Sequence, residues 1–231
     1  MAAISNSELD GRIRILLNKG WLEIPHNQGY GGTGGPGKFL EHQLGCDGGN
    51  DDIPDTGRWE LKYHSNTSLL TLFHKEAQPR GHLETLVQRF GWLNNNNCKC
   101  FRHTITGITN RGFYIENNGS EILVKNLNYP DETFGYWPHD TLITTFAAKF
   151  RNLVIVIGTR KHQLINYQKA MFFEEPHITQ LISAIEAGII HIDFDPRTKA
   201  EHAVTLRNHG TKFRISLENI RLLYKKYRVI G

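Results

Sequence analysis

The length, composition and charge of the chain exclude several classes of protein. Its 231 residues allow one substantial hydrophobic core, or one core with a small additional lobe. No apolar run approaches the roughly 20 residues of a membrane-spanning helix, and three cysteines are too few for a disulfide framework, so we expect a cytoplasmic protein. The 27 Lys and Arg outnumber the 23 Asp and Glu, and the net charge of +4 suits an anionic partner without requiring one.

The first elements predicted are two helices on either side of a glycine-rich loop. Apolar residues at helical spacing predict a helix over Leu9–Leu17 that stops near Gly20. The stretch 27–37 is too rich in glycine for regular structure, and a short helix is predicted over Lys38–Leu44. The loop fits neither a P-loop nor a dinucleotide fingerprint, so we do not expect nucleotide binding.

A strand carrying polar residues on one face is predicted next. Residues Arg58–His64 alternate, with an apolar face on one side and Glu60 and Lys62 on the other. A second strand, Leu69–His74, is expected to pair with the first, and a helix that closes near Gly91 follows.

The remainder of the chain predicts a mixture of strands and helices. Three short strands in the middle third suggest an antiparallel lobe, with a hairpin at 117–119. A helix begins at Pro138 and runs toward Phe150. The three strands of the middle third cover 101–107, 112–116 and 121–127, and the other predicted elements are strands over 153–157, 167–173, 189–194 and 211–215, a helix over 178–188, and a final helix from Ser216 through Tyr224.

The residues that indicate chemistry lie between Asp52 and Lys62. Glu60 and Lys62 are two apart on a strand and share a face, and Asp55 reaches Glu60 through a short turn. Two carboxylates suit Mg²⁺, which takes oxygen ligands and retains water, and an ammonium beside them can hold the attacking water. Asp52 is a rival for Asp55, and an exposed strand edge with a simple Glu and Lys pair is the alternative without chemistry.

The pattern Asp55-x4-Glu60-x-Lys62, preceded by proline, resembles the PD-(D/E)xK nucleases. Segments around Glu41, over Leu70–His74 and over Asn208–Ile215 make the sequence similar to the MvaI/BcnI group of restriction endonucleases, which are relatives of the MutH nicking enzyme. The similarity extends from about residue 20 to the end of the chain.

This resemblance implies a fold and an activity. The implied fold is an α/β restriction-endonuclease-like mixed sheet flanked by helices, a single nuclease domain over residues 1–231 that is bilobed with a DNA-binding cleft. The catalytic lobe would comprise about 1–95 with part of 138–195, and the recognition lobe about 96–137 and 196–231. The implied activity is Mg²⁺-dependent cleavage of double-stranded DNA at a short CC…GG-type site, leaving 5′-phosphates, with Mn²⁺ able to substitute.

The resemblance also assigns roles to catalytic residues. It makes Asp55 and Glu60 the metal ligands, Lys62 the residue that orients water, and Glu41 an accessory acid near the metal or the lysine. Glu41 has the alternative of an ordinary solvated helix carboxylate.

Five residues are candidates for contact with DNA. The resemblance makes His74 a base-contacting residue, whereas a histidine at the edge of the core is the alternative. The other four are cationic or donor groups within eight residues, a layout able to read guanine in the major groove or only to touch phosphates. They are Arg207, His209, Lys212 and Arg214.

Oligomeric state and partners follow from the resemblance, with alternatives. A monomer that needs no obligatory protein partner is expected, although one motif per chain also fits a homodimer. A MutH-like nickase that acts with repair partners, and a DNA-binding module without catalysis, are the rival functions.

Overall fold

A computed structural model describes residues 4–26, 29–32, 34–46, 54–65, 69–199, 205–208 and 210–231. In these residues no helix is long and apolar enough to cross a membrane. The five described α-helices are α1 (Asn6–Leu17), α2 (Gly35–Gln43), α3 (His82–Phe90), α4 (His139–Lys149) and α5 (Ile178–Glu186). The described strands are β1 (Trp21–Glu23), β2 (Glu60–His64), β3 (Leu70–His74), β4 (Trp92–Leu93), β5 (Lys99–Cys100), β6 (His103–Ile105), β7 (Phe113–Asn117), β8 (Glu121–Asn126), β9 (Tyr136–Pro138), β10 (Asn152–Lys161), β11 (Leu164–Pro176), β12 (Ile190–Phe194), β13 (Arg197–Thr198), β14 (Leu206–Arg207), β15 (Lys212–Ile215) and β16 (Tyr224–Ile230).

The chain forms two compact units, each built from separate segments. Unit 1 comprises residues 1–68, 145–178 and 220–231, and unit 2 comprises 69–144 and 179–219. These boundaries differ from those of the predicted lobes, because β3 pairs with β15 and β16 pairs with β11. The catalytic and recognition roles given to the two lobes stay predictions.

Unit 1 is a mixed sheet with two helices packed on it. Its strand order is β1-β11-β10-β2, and β16 also pairs with β11. Among the described strands of this unit, only β10 and β2 pair in parallel. The apolar run Leu153–Ile157 predicted a buried central strand, and all five side chains are at most 1% exposed. One core cluster joins α1 and α2 to the sheet; it includes Leu9, Ile13, Leu16, Phe39, Leu40, Trp59, Leu61, Val154, Val156, Tyr167 and Phe172.

Local sequence accounts for the ends of both helices in unit 1. Ser5 caps α1 by accepting a hydrogen bond from the Glu8 backbone N–H at 3.3 Å. Helix α2 begins earlier than expected, within the glycine-rich stretch, so the prediction that this stretch holds no regular structure was wrong for 35–37. Pro36 occupies the first turn, where its missing N–H costs nothing. A Cβ on Gly35 would lie 1.8 Å from the Tyr30 carbonyl oxygen, which explains the glycine.

The described residues of unit 2 form three antiparallel sheets. Their orders are β3-β15-β12-β6, β14-β13-β5-β4 and β7-β8-β9. The predicted hairpin in the middle third is confirmed as β7 and β8. Its turn is closed by the Asn118 side chain, whose Oδ1 accepts from the backbone N–H groups of Ser120 and Glu121.

Two expected features were wrong. Strand β3 does not pair with β2; it pairs with β15, because strand pairing depends on distant partners that local alternation does not identify. The final helix is absent among the described residues. A single 3₁₀ turn, Ile220–Leu223, buries Ile220 and Leu223, and the basic segment after it extends as β16 along β11. Pairing with an existing strand satisfies the backbone groups that a helix would have satisfied internally.

Candidate active site and DNA-contact residues

A tight turn holds Asp55 against the start of β2. The Gly57 N–H donates to the Pro54 carbonyl at 2.8 Å, and Gly57 has a φ of +77°, a conformation that favours glycine. The Trp59 N–H donates to Thr56 Oγ1 at 2.9 Å. The turn brings Asp55 Oδ2 to 2.7 Å from the Leu61 N–H, from which it accepts a hydrogen bond. The carboxylate is therefore fixed beside the strand that carries the other motif residues.

Glu60 is a buried carboxylate in contact with two ammonium groups. The residue is 0% exposed, and its Oε1 lies 2.5 Å from Lys62 Nζ and 3.6 Å from Lys149 Nζ. No hydrogen-bond partner for Oε2 exists among the described residues. Burial raises the pKa of Glu60 from 4.5 to about 7; Lys62 and Lys149 oppose the rise, and Asp55 adds to it. The structure thus brings Asp55, Glu60 and Lys62 together, as the sequence motif predicted.

Glu41 lies on α2, half-buried, within the electrostatic field of the same residues. Burial raises its pKa, the Asp55 carboxylate raises it further, and Lys62 lowers it. No hydrogen bond or ion pair joins its carboxylate to another residue in the described part of the chain. The structure therefore places Glu41 near the motif without fixing it there by a direct contact.

The donor set fits a hard divalent cation. Glu60 Oε2 is a buried oxygen that no described residue partners, and Asp55 supplies a second carboxylate close to it. Among the residues the structure describes, no group of three or more His, Cys, Asp or Glu side chains could hold a metal ion. A site with few protein oxygens suits Mg²⁺, which retains several waters, better than it suits zinc, which prefers nitrogen or sulfur ligands.

The candidate DNA-contact residues belong to unit 2, and three of them are on neighbouring strands. His74 is the exposed last residue of β3 and pairs in register with Lys212 of β15. Lys212 Nζ is 3.9 Å from Asp195, and Arg214 donates to Asp193 at 3.1 Å. Both cations therefore face acids, which limits the positions that they can adopt.

Two candidates for DNA contact are not brought into this group. Arg207 is exposed on β14, which belongs to a different sheet from β3 and β15. His209 lies outside the described residues, as does Asp52, the rival of Asp55.

Comparison with known proteins identifies the family. The model of the MvaI/BcnI restriction endonuclease family matches residues 11–224. The chain belongs to this family. Its fold is also that of restriction endonuclease MvaI: the solved complex of MvaI with its cognate DNA substrate is 26% identical, with a TM-score of 0.81, over 99% of this chain and 100% of that one. The structure of MvaI in the absence of DNA is 23% identical, with a TM-score of 0.60, over the whole of both chains. No curated protein sequence matched.

In this MvaI/BcnI-family chain, the sequence motif does not reveal Lys149. It is the last residue of α4, and 86 residues separate it from Lys62. The adjoining Phe150 ring lies 5.8 Å from Lys62 Nζ, and the Phe150 carbonyl accepts from the buried Tyr224 hydroxyl at 2.8 Å. A predicted helix ending before a buried strand was the only signal. The parallel pairing of β10 with β2, which brings that helix end to Glu60, is not visible in the sequence.

Proposed function

We propose that this chain is a type II restriction endonuclease that hydrolyses double-stranded DNA at a short CC…GG-type site with Mg²⁺ and leaves 5′-phosphate ends. The observation that carries the proposal is the fully buried Glu60, whose Oε1 contacts two ammonium groups and whose Oε2 has no hydrogen-bond partner in the described part of the chain. Burying a carboxylate is costly to stability, and costly buried ionisable groups are concentrated at functional sites. Family membership and the likeness to a protein solved with its cognate DNA support DNA as the substrate.

The proposed chemistry uses four charged groups: Glu60 and Lys62 on β2, Asp55 in the turn before it, and Glu41 on α2. Asp55 and Glu60 are the proposed ligands of Mg²⁺, which when bound would supply positive charge that activates water and offsets charge on the phosphate; Mn²⁺ would substitute. The Lys62 ammonium would donate a hydrogen bond to the attacking water and stabilise the charge that develops on the phosphate oxygens. Water attacks phosphorus and releases a proton to solvent, the bond to the 3′-oxygen breaks, and the leaving oxygen takes a proton from solvent, which gives a 3′-hydroxyl and leaves the phosphate on the 5′ end. Glu41 would hold Lys62 in place electrostatically.

Recognition would use the cationic strand β15 and its neighbour β3. His74 and Lys212 stand side by side and His74 is exposed, so both can approach base edges. Arg214 is held by Asp193 in a fixed orientation, which favours selective contact, whereas Arg207 is an exposed cation suited to a phosphate. We propose that the enzyme acts as a monomer and needs no protein partner, which sedimentation with and without DNA would test.

The test is cleavage of unmethylated phage DNA, with sequencing of the ends. The wild-type protein should produce discrete fragments in Mg²⁺ and none in EDTA. Lys62→Ala should abolish the fragments, while Lys225→Ala, an exposed lysine on β16, should not. Intact DNA from folded wild-type protein would contradict the proposal. Activity that needs added repair proteins would instead indicate a MutH-like nickase, and binding without cleavage a DNA-binding module.

A further inference from the structure

The turn that precedes β15 is tied to a single carboxylate outside the predicted motifs. Glu76 Oε1 accepts from Asn208 Nδ2 and from the Thr211 N–H, both at 2.8 Å. Glu76 Oε2 accepts from the Thr211 hydroxyl at 3.0 Å. Thr211 is 1% exposed, so its two donors need these acceptors. One side chain therefore satisfies three donors on both sides of the turn.

Glu76 is itself attached to a fixed stretch of backbone. On one side the Lys75 N–H donates to the Thr211 carbonyl at 3.0 Å, and the Lys75 carbonyl accepts from the buried Trp137 indole at 3.0 Å. On the other side Gln78 and Tyr136 exchange two backbone hydrogen bonds of 2.8 Å. The carboxylate is thus a rigid support rather than a mobile surface group, although its side chain is 43% exposed.

The same turn is packed against a candidate DNA-contact residue. Gly210 has a φ of +84°, and its N–H donates to Asn208 Oδ1 at 3.0 Å. A Cβ at Gly210 would lie 2.9 Å from the His74 ring. The His74 ring therefore lies against the turn. Lys212 follows directly in the chain and pairs with His74.

We propose that Glu76 is a positioning residue for sequence recognition: by holding Asn208 and Thr211 it fixes the turn, the His74 ring and Lys212 in the arrangement that distinguishes the correct base sequence. The inference rests on the proposed function, since it assumes that these residues read DNA. Glu76 is a negative group and would repel phosphate, so we assign it no contact with the DNA backbone. Its effect is on discrimination between sites, because a loosened turn admits sequences that a fixed one rejects.

Two variants of Glu76 separate hydrogen bonding from charge. Glu76→Ala removes all three hydrogen bonds and the charge. Glu76→Gln removes the same charge but retains the pattern, because its amide oxygen can accept two bonds and its NH₂ can donate to the Thr211 hydroxyl. Thr211→Val removes only the hydroxyl bond. Glu84→Ala, an exposed carboxylate on α3, is the control for removing a negative charge from unit 2.

The measurement is kcat/KM on a cognate duplex and on duplexes with one base pair changed. The selectivity ratio is kcat/KM on the cognate duplex divided by kcat/KM on an altered duplex. Glu76→Ala should lower this ratio at least about tenfold, equivalent to about 1.4 kcal/mol. Glu76→Gln should restore most of it, Thr211→Val should be intermediate, and Glu84→Ala should match wild type. Hydrogen exchange at the Thr211 amide, which needs no DNA, should be faster in Glu76→Ala.

Several results would overturn the inference. An unchanged selectivity ratio in folded Glu76→Ala would do so. Equal losses of selectivity in Glu76→Ala and Glu76→Gln would also do so, because the loss of charge alone would then explain both. If Glu76→Ala does not fold, an unchanged ratio in Thr211→Val is decisive against it. Failure of the wild-type protein to cleave any DNA refutes the proposed function instead. Unaltered Thr211 exchange in Glu76→Ala would show, independently of cleavage, that Glu76 does not hold the turn.

Discussion

Replacing Glu60 with glutamine should stabilise the metal-free protein, and should do so increasingly as the pH rises. Burial raises the pKa of Glu60 from 4.5 to about 7, so ionising it costs more in the folded chain than in the unfolded one. Between these pH values the folded state keeps a proton that the unfolded state has released, so the stability of the wild type falls as the pH increases. The cost amounts to about 1 kcal/mol at pH 5 and about 3 kcal/mol at pH 8.

Glutamine fills nearly the same volume and does not titrate, so Glu60→Gln loses this pH dependence. The gain in unfolding free energy over wild type should therefore be about 2 kcal/mol larger at pH 8 than at pH 5. Urea unfolding in EDTA measures this difference, and the attraction of Lys62 needs no separate correction because the pKa of about 7 already includes it. Glu84→Gln, an exposed change, reports the ordinary effect of this substitution. A difference between the Glu60 variant and wild type that does not vary with pH would refute the assigned cost of burial.

Three further changes test the same site. Gly57→Ala should lower the melting temperature and reduce cleavage, because alanine at a φ of +77° costs roughly 1–2 kcal/mol and disturbs the turn that holds Asp55; normal stability would contradict this. Asp55→Asn should keep the Leu61 hydrogen bond and the fold, seen by circular dichroism, but lower Mg²⁺-dependent cleavage at least about a hundredfold, and near-normal cleavage would exclude Asp55 as a ligand. Lys149→Met should raise the pKa of Glu60 above about 7, because the Lys149 ammonium, 3.6 Å away, favours the ionised form. The acid limb of the pH–rate profile, measured at limiting Mg²⁺, should then move to higher pH. Lys149→Arg keeps the positive charge and should leave the acid limb in place.

What the sequence could predict was determined by local interactions. The turn that carries Asp55 and the alternation of Glu60 and Lys62 depend on residues within a few positions of one another, and the hydrogen bond from Leu61 to Asp55 spans six. The apolar run 153–157 identified the buried strand for the same reason. Elements of this kind are readable because their geometry repeats with the period of the sequence.

What could not be predicted depends on contacts between distant segments. Strand β2 pairs with β10, about ninety residues further along, and that pairing brings Lys149 to Glu60. The Glu76 support for the recognition turn likewise joins residues 135 positions apart. Neither contact has a periodic signature, and in both cases a single ordinary Lys or Glu in the sequence gains its significance only from tertiary structure.

Burial of Glu60 favours the proposed metal site over the simple ion pair that the motif also allows. An exposed strand edge with a simple Glu and Lys pair would leave both charged groups hydrated, and such a pair contributes little to stability. Instead the apolar face of β2 places Trp59 and Leu61 in the core, while on the opposite face Glu60 is fully buried and His64 is 4% exposed. Both faces are therefore buried at these positions, although the Lys62 side chain is 25% exposed. A structural ion pair gains nothing from this enclosure, because desolvation of Glu60 outweighs the attraction of Lys62 and Lys149 in setting its pKa. Enclosure is useful where a carboxylate must present an oxygen without competing protein donors, which is what a hard cation requires of its ligand.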